Sequence, residues 1–152
     1  MRILGIDPGT SLIGWGVIDN TMVDCGVLRT QSNIHNSDRV SDVFDFFISL
    51  IKKHKPDVIA LEKLFFFKNA KTVMQVSEIR GVLLLAAARQ GVVVREFTPL
   101  QVKQAISGYG KADKHQVGRM VALILGLKAS PKPDDVADAL AIAICCANTV
   151  VY

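Results

Sequence analysis

The chain opens with three apolar segments separated only by tight turns. "RILGID" at 2–7 is a short run, apolar between Arg2 and its closing acid, and "LIGWGVID" at 12–19 and "MVDCGVLRT" at 22–30 follow at hairpin spacing, with "DNT" at 19–21 as one connection. Runs of this length bounded by turn residues predict strands, and their close succession predicts an antiparallel meander. The rhythm then changes. From Asp38 to Lys53 apolar residues fall at Val40, Val43, Phe44, Phe47, Leu50 and Ile51, the three-and-four spacing of an amphipathic helix laid on a sheet, which Pro56 ends.

"DVIALE" at 57–62 and "VVVREF" at 92–97 supply two further strands. Between them a helix is predicted from about Ala70 to Gln90. Its second half, "VLLLAAAR", is apolar on nearly every side, so it must be covered twice over, either by the core on both flanks or by the core and another subunit. After Pro99 the pattern predicts a short helix to about Ser107, the loop "GYGKAD" at 108–113, and a helix from Lys114 to Leu127. Asp113 followed by Gln116 is a capping arrangement for that helix. "ASPKPDD" breaks the chain, and a last helix runs from Asp134 towards the C-terminus. Three strands, helix, strand, helix, strand and helices give an α/β fold, a five-stranded mixed sheet flanked by helices, in a single domain over 1–152.

Composition narrows the class little. Half the residues are apolar, and eighteen Lys and Arg stand against fourteen Asp and Glu, a net charge of +4. The three cysteines, Cys25, Cys145 and Cys146, fit neither a zinc site nor a disulfide framework, so a reducing, cytoplasmic setting is expected. With Met1-Arg2 running straight into the first strand, no signal peptide is expected. The apolar run 139–147 is far short of the roughly 20 residues a spanning helix needs.

The acids carry the chemistry. Asp7 and Glu62 each stand where an apolar strand emerges at its carboxyl end, the end at which open α/β sheets bind ligands. A strand end needs a polar residue in any case, so either acid alone is weak evidence. The last helix weighs more. "DDVADALAIAICCA" at 134–147 is apolar after its first turn yet carries Asp134, Asp135 and Asp138, and Asp138 shares a face with both of the others. Capping accounts for acids in a first turn but not for Asp138 among alanines and leucine in the second. Carboxylates without a histidine or cysteine cluster describe a hard-cation site, Mg²⁺ or Mn²⁺, and two such ions roughly 4 Å apart are a standard device of phosphodiester hydrolysis. With four acids committed to metal, ten remain against the eighteen basic residues, and a positive surface suits a polyphosphate ligand. Basic candidates for it include Lys63, Lys68, Lys71, Lys103, Lys111, Lys114 and Arg119. "KLFFFKN" at 63–69 sets three phenylalanines between lysines directly after Glu62, where an aromatic side chain could wedge into or stack on bases, or equally clamp the loop to the core.

Together these segments closely resemble the bacterial RuvC family of Holliday-junction resolvases, in the ribonuclease H-like superfamily. The resemblance covers essentially the whole chain through "GIDPGTSLIGWGV", "LEKLFFFKNAKTV", "VKQAISGYGKADKHQV" and "PDDVADALAIAI", the last being the most specific. It implies a ribonuclease H-like fold and a metal-binding, catalytic acid set of Asp7, Glu62, Asp135 and Asp138, choosing Asp135 over Asp134. It places the DNA-inserting aromatic at Phe65, with Phe66 an alternative because this chain carries three phenylalanines in a row. It places the family's lysines at Lys103 and Lys114, and these with Lys68, Asn69 and Lys111 of the basic segments make up the expected DNA-binding set. It further implies Mg²⁺ (or Mn²⁺) as cofactor, two ions per site, four-way junction DNA as substrate, and symmetric nicks leaving 5′-phosphate and 3′-hydroxyl ends in thymine-rich sequence. A homodimer joined through "SEIRGVLLLAAA" and a partnership with the RuvAB branch-migration motor complete the expectation. The YqgF family of RNA-processing proteins shares the opening hairpin, but Glu62, the "VKQ" segment and the "DDVADALA" helix favour the resolvase. A catalytically inactive junction-binding module would have lost acids, and all four are present.

Overall fold

The computed structural model describes residues 1–31, 33–64, 70–108 and 110–150. Strands β1 (Ile3–Asp7), β2 (Leu12–Asp19) and β3 (Thr21–Arg29) form the antiparallel meander, followed by helix α1 (Asn36–His54), strand β4 (Val58–Glu62), helix α2 (Ala70–Arg89) and strand β5 (Val93–Phe97). Helices α3 (Pro99–Ser107), α4 (Lys114–Ile124) and α5 (Asp134–Val150) complete the described chain. The sheet order is β3-β2-β1-β4-β5, with β4 parallel to both β1 and β5. Parallel neighbours need crossovers, and α1 and α2 supply them.

Alternation along the strands sorts side chains into two cores, one on each face of the sheet. Leu4, Ile6, Ile13, Trp15, Val17, Ile59 and Leu61 face α1 and α2, where Phe47, Ile79 and Leu83 meet them. Ile3, Ile18, Ala60 and Phe97 face the other way, onto α3, α4 and α5. Helix α5 is the centre of that second layer. From Val136 to Cys146 every residue except Asp138 is buried. Such a helix is apolar all round because sheet and helices enclose it.

Local signals explain most of the boundaries. Lys55 takes a left-handed conformation (φ 48°) and its N–H donates to the Ile51 carbonyl at 2.8 Å, closing α1 just before Pro56. Asp113 and Gln116 form the expected reciprocal cap on α4. Thr98 and Gln101 form a second one on α3, with Pro99 at the first helical position. One boundary differs from expectation: α4 ends at Ile124, not Leu127. Gly126 adopts φ 65°, and the Leu127 N–H turns back to the Ala122 carbonyl at 2.8 Å, so the apolar periodicity outlasts the helix. The expectation of full cover on α2 is met on one side within this chain. Ile79, Leu83, Ala86 and Ala87 are buried, while Met74, Leu84 and Leu85 lie 68%, 39% and 49% exposed.

Candidate active site

Register alone brings the first two acids together. The parallel pairing of β1 with β4 runs from Ile3–Val58 to Ile6–Leu61, so the next and last residues of the two strands, Asp7 and Glu62, stand side by side at the carboxyl edge of the sheet. The antiparallel pairing sets Asp7 opposite Gly14 of β2. Helix α5 then lies across β1 and β2 at unusually short range. A Cβ on Gly14 would collide with the main-chain oxygen of Asp135 and lie 2.5 Å from its carbonyl carbon. One on Gly5 would meet the Ala139 main chain and come within 2.9 Å of Ala143. The first turn of α5 is thereby seated directly over the neighbour of Asp7, and Asp138 follows one turn on.

The resulting cleft, about 290 Å³, is walled by Asp7, Glu62 and Asp138 with Lys103 and Lys114, and closed behind by Val102, Val117 and Ile142. Asp135 stands at its margin, outside the walls, yet its charge acts on both Asp7 and Asp138. The Lys114 Nζ lies 3.7 Å from Asp138 Oδ2 while its side chain stays 73% exposed. Asp134 points away from this group: it is exposed and accepts from Lys132 Nζ at 2.7 Å. Lys111 is exposed in the turn before α4 and is not one of the cleft walls. Phe65, Phe66, Lys68 and Asn69 lie outside the described residues.

Electrostatics mark the acids as a strained set. Burial first, then the Glu62, Asp138 and Asp135 carboxylates, push Asp7 up to about 7, with only Lys114 opposing. Burial also raises Glu62, reinforced by Asp138 and countered by Lys103 and Lys114. Asp138 is raised chiefly by burial, with Lys114 pulling down and Asp135 and Asp134 pushing up. Three carboxylates held half-buried at one cleft, each with its ionised form disfavoured by burial and by its neighbours, form an arrangement that a divalent cation relieves. Among the described residues no three acidic, histidine or cysteine side chains converge on one point as a finished metal cage. The carboxylates share one cleft, and their hard oxygen donors fit Mg²⁺ or Mn²⁺ better than zinc.

Sequence reasoning missed Gly14 and Gly5. Their signal was present as the alternations Gly5-x-Asp7 and Gly14-x-Gly16, but it gains meaning only when β1 and β2 are paired under α5.

A meander-first mixed sheet with acids gathered at the carboxyl edge and a long carboxylate-bearing helix across it defines a nuclease of the ribonuclease H-like class. Comparison with known proteins is specific: the family described as crossover junction endodeoxyribonuclease RuvC matches residues 3–146, and the chain belongs to that family, whose nuclease chemistry depends on a divalent metal. A relative from Fusobacterium nucleatum bearing that description is 47% identical over 155 residues, covering 99% of this chain and 82% of the relative. Another from Caldicellulosiruptor saccharolyticus is 47% identical, covering 95% and 91%. The solved Thermus thermophilus RuvC superposes with a TM-score of 0.93 at 34% identity, covering 99% of this chain and 96% of that one. A second structure of that protein, in complex with a Holliday junction substrate, gives 0.92 at 32% identity, covering 99% and 95%.

Proposed function

We propose that this chain resolves Holliday junctions, using Asp7, Glu62, Asp135 and Asp138 to hold two divalent ions, Mg²⁺ with Mn²⁺ as substitute, at the carboxyl edge of the sheet. The observation that carries this reading is the register of β1 against β4 and of β1 against β2 under α5, which gathers carboxylates from three elements beside two lysines. The ions, when bound, supply an activated water and charge neutralisation at the scissile phosphate. The protein's own part is positional. Asp7 and Glu62 are fixed by strand pairing, and Asp138 by a helix buried on every other side, so the donors sit on rigid elements. Lys114, in contact with Asp138 and largely exposed, is placed to hold a phosphate oxygen, and Lys103 beside Glu62 takes a second position along the strand. Hydrolysis breaks the P–O3′ bond; the 3′ oxygen takes up a proton and leaves as a hydroxyl, and the 5′ side keeps the phosphate.

We assign Lys111, Lys68 and Asn69 further contacts with the DNA, and Phe65 or Phe66 the insertion at the junction centre. The exposed apolar side of α2, Met74, Leu84 and Leu85, pairs with the same face of a second copy. A two-fold dimer matches a substrate of near two-fold symmetry. The protein would work in the cytoplasm, with RuvAB supplying branch migration. No described helix is long and apolar enough to cross a membrane.

The deciding experiment incubates the protein with a mobile four-way junction and with linear duplex of the same sequence, in Mg²⁺ and in Mn²⁺. Paired nicks on opposing strands of the junction, with the duplex largely intact, are expected. Equal cutting of both substrates, or none of the junction, would overturn the reading.

A further inference from the structure

We propose that Gly14 is a positioning residue of the nuclease: its missing side chain sets the depth at which the first turn of α5 sits, and so the separation between Asp7 and the α5 acids. The inference rests on the four-acid reading above and adds a residue that bears no donor atom. Three observations meet at this point. Gly14 is the cross-strand partner of Asp7. It lies against the main chain of Asp135, with the carbonyl carbon 2.5 Å and the Cβ 3.0 Å from where a Cβ at position 14 would stand. The obstacle is backbone in the first turn of a helix whose next eleven residues are buried apart from Asp138, so a methyl group cannot be absorbed by a rotamer change. It must lift the helix end.

Gly16 provides the contrast two residues along the same strand face. A Cβ there would meet Leu140, with Cδ2 at 2.5 Å and Cγ at 2.7 Å, the outer part of a side chain that can turn aside. Both substitutions crowd the same interface and both cost stability, but only the one at position 14 moves carboxylates.

The lever is geometric. A displacement of order 1 Å in a reacting constellation costs about 100-fold in rate. Gly14→Ala is therefore expected to lower junction cleavage by about 100-fold and to weaken Mn²⁺ binding to the DNA-free protein, read by electron paramagnetic resonance, by about tenfold. Junction binding without divalent ions should stay within about threefold of wild type, because Lys103 and Lys114 stand on α3 and α4. Gly16→Ala should lower the melting temperature comparably while keeping Mn²⁺ affinity and cleavage within about threefold. Asp135→Glu in the Gly14→Ala background should regain part of the Mn²⁺ affinity by reaching back across the gap.

Wild-type Mn²⁺ affinity in a folded Gly14→Ala, or an equal loss in Gly16→Ala, would overturn the proposal. If Gly14→Ala does not fold, Asp135→Glu alone carries the test: at the seating seen here its extra methylene should overshoot and weaken Mn²⁺ binding, and unchanged affinity would refute a distance set at this point. Asp7→Asn run alongside separates the two claims. Normal cleavage and Mn²⁺ binding in that variant would remove the four-acid reading itself, whereas its loss with an unaffected Gly14→Ala removes only the inference about Gly14.

Discussion

The two faces of the sheet are built on opposite plans. Towards α1 and α2 the strands present Leu4, Ile6, Ile13, Trp15 and Leu61, met by Phe47, Ile79 and Leu83. Towards α5 the same strands set Gly5, Gly14 and Gly16 among the larger Ile3, Ile18 and Phe97, with Gly5 against Ala139 and Ala143, Gly14 against Asp135 and Gly16 against Leu140. Large interlocking side chains give the first face area and hence hydrophobic stabilisation, and such cores accommodate repacking. The second face is also apolar, but its glycines leave gaps that let the α5 backbone approach the strands, and that approach brings the α5 acids to the edge where Asp7 and Glu62 stand. Both faces carry apolar core, and the alternation of single strands puts the close-approach glycines and the proposed catalytic acids on one of them.

If the division is real, substitutions should separate cleanly. The largest effect belongs to the acid face. Asp7→Asn should reduce junction cleavage by about 1,000-fold or more, several kcal/mol of lost transition-state stabilisation, while binding measured by gel shift without divalent ions persists. Loss of binding as well would mean that Asp7 supports the fold. On the opposite face, Phe47→Ala should destabilise by about 3–5 kcal/mol in urea unfolding, since Phe47 is only 1% exposed. Its cleavage rate per folded molecule should match wild type below the melting transition. A specific cleavage defect there would blur the division.

A smaller effect tests the acids as a charged set. Asp7 is raised from 3.8 to about 7 in the folded protein, so folding takes up a proton between those pH values. Its contribution to stability is therefore most favourable below pH 3.8 and falls as pH rises through about 7. In chelator, Asp7→Asn should stabilise the fold at pH 8 by on the order of 1–2 kcal/mol, and the gain should vanish near pH 4. Thermal melts at the two pH values check it, and a variant less stable than wild type at pH 8 would contradict the sign. Smallest of all, Thr98→Ala removes the reciprocal cap on α3 and should cost about 1 kcal/mol, with Lys103 reporting any knock-on as a modest fall in cleavage.

Much of this arrangement is legible before any coordinates. The strands, the crossover helices, the Asp113 cap and the misfit of Asp138 among apolar neighbours all follow from local pattern, because each is settled within a few residues. What is not legible depends on partners distant in sequence. Gly14 reads as a weak spot in a strand until α5 is laid over it. The apolar periodicity of α4 runs on to Leu127, yet a left-handed Gly126 stops the helix earlier. In α2 both sides are apolar, so no pattern could say that Leu83 would be buried and Leu85 left 49% exposed. The adjacent acids Asp134 and Asp135 are alike in local pattern, and the fold separates them: Asp134 is exposed and accepts from Lys132, while the charge of Asp135 acts on Asp7.

That last distinction offers the most direct test of the account. Single-turnover cleavage of a four-way junction in Mg²⁺ should be compared for Asp134→Asn, Asp135→Asn and Asp138→Asn under one set of conditions. The account predicts that Asp135→Asn and Asp138→Asn each lose about 100-fold or more while Asp134→Asn stays within about threefold of wild type. Near-wild-type cleavage by Asp135→Asn or Asp138→Asn, or a comparable loss in Asp134→Asn, would contradict it.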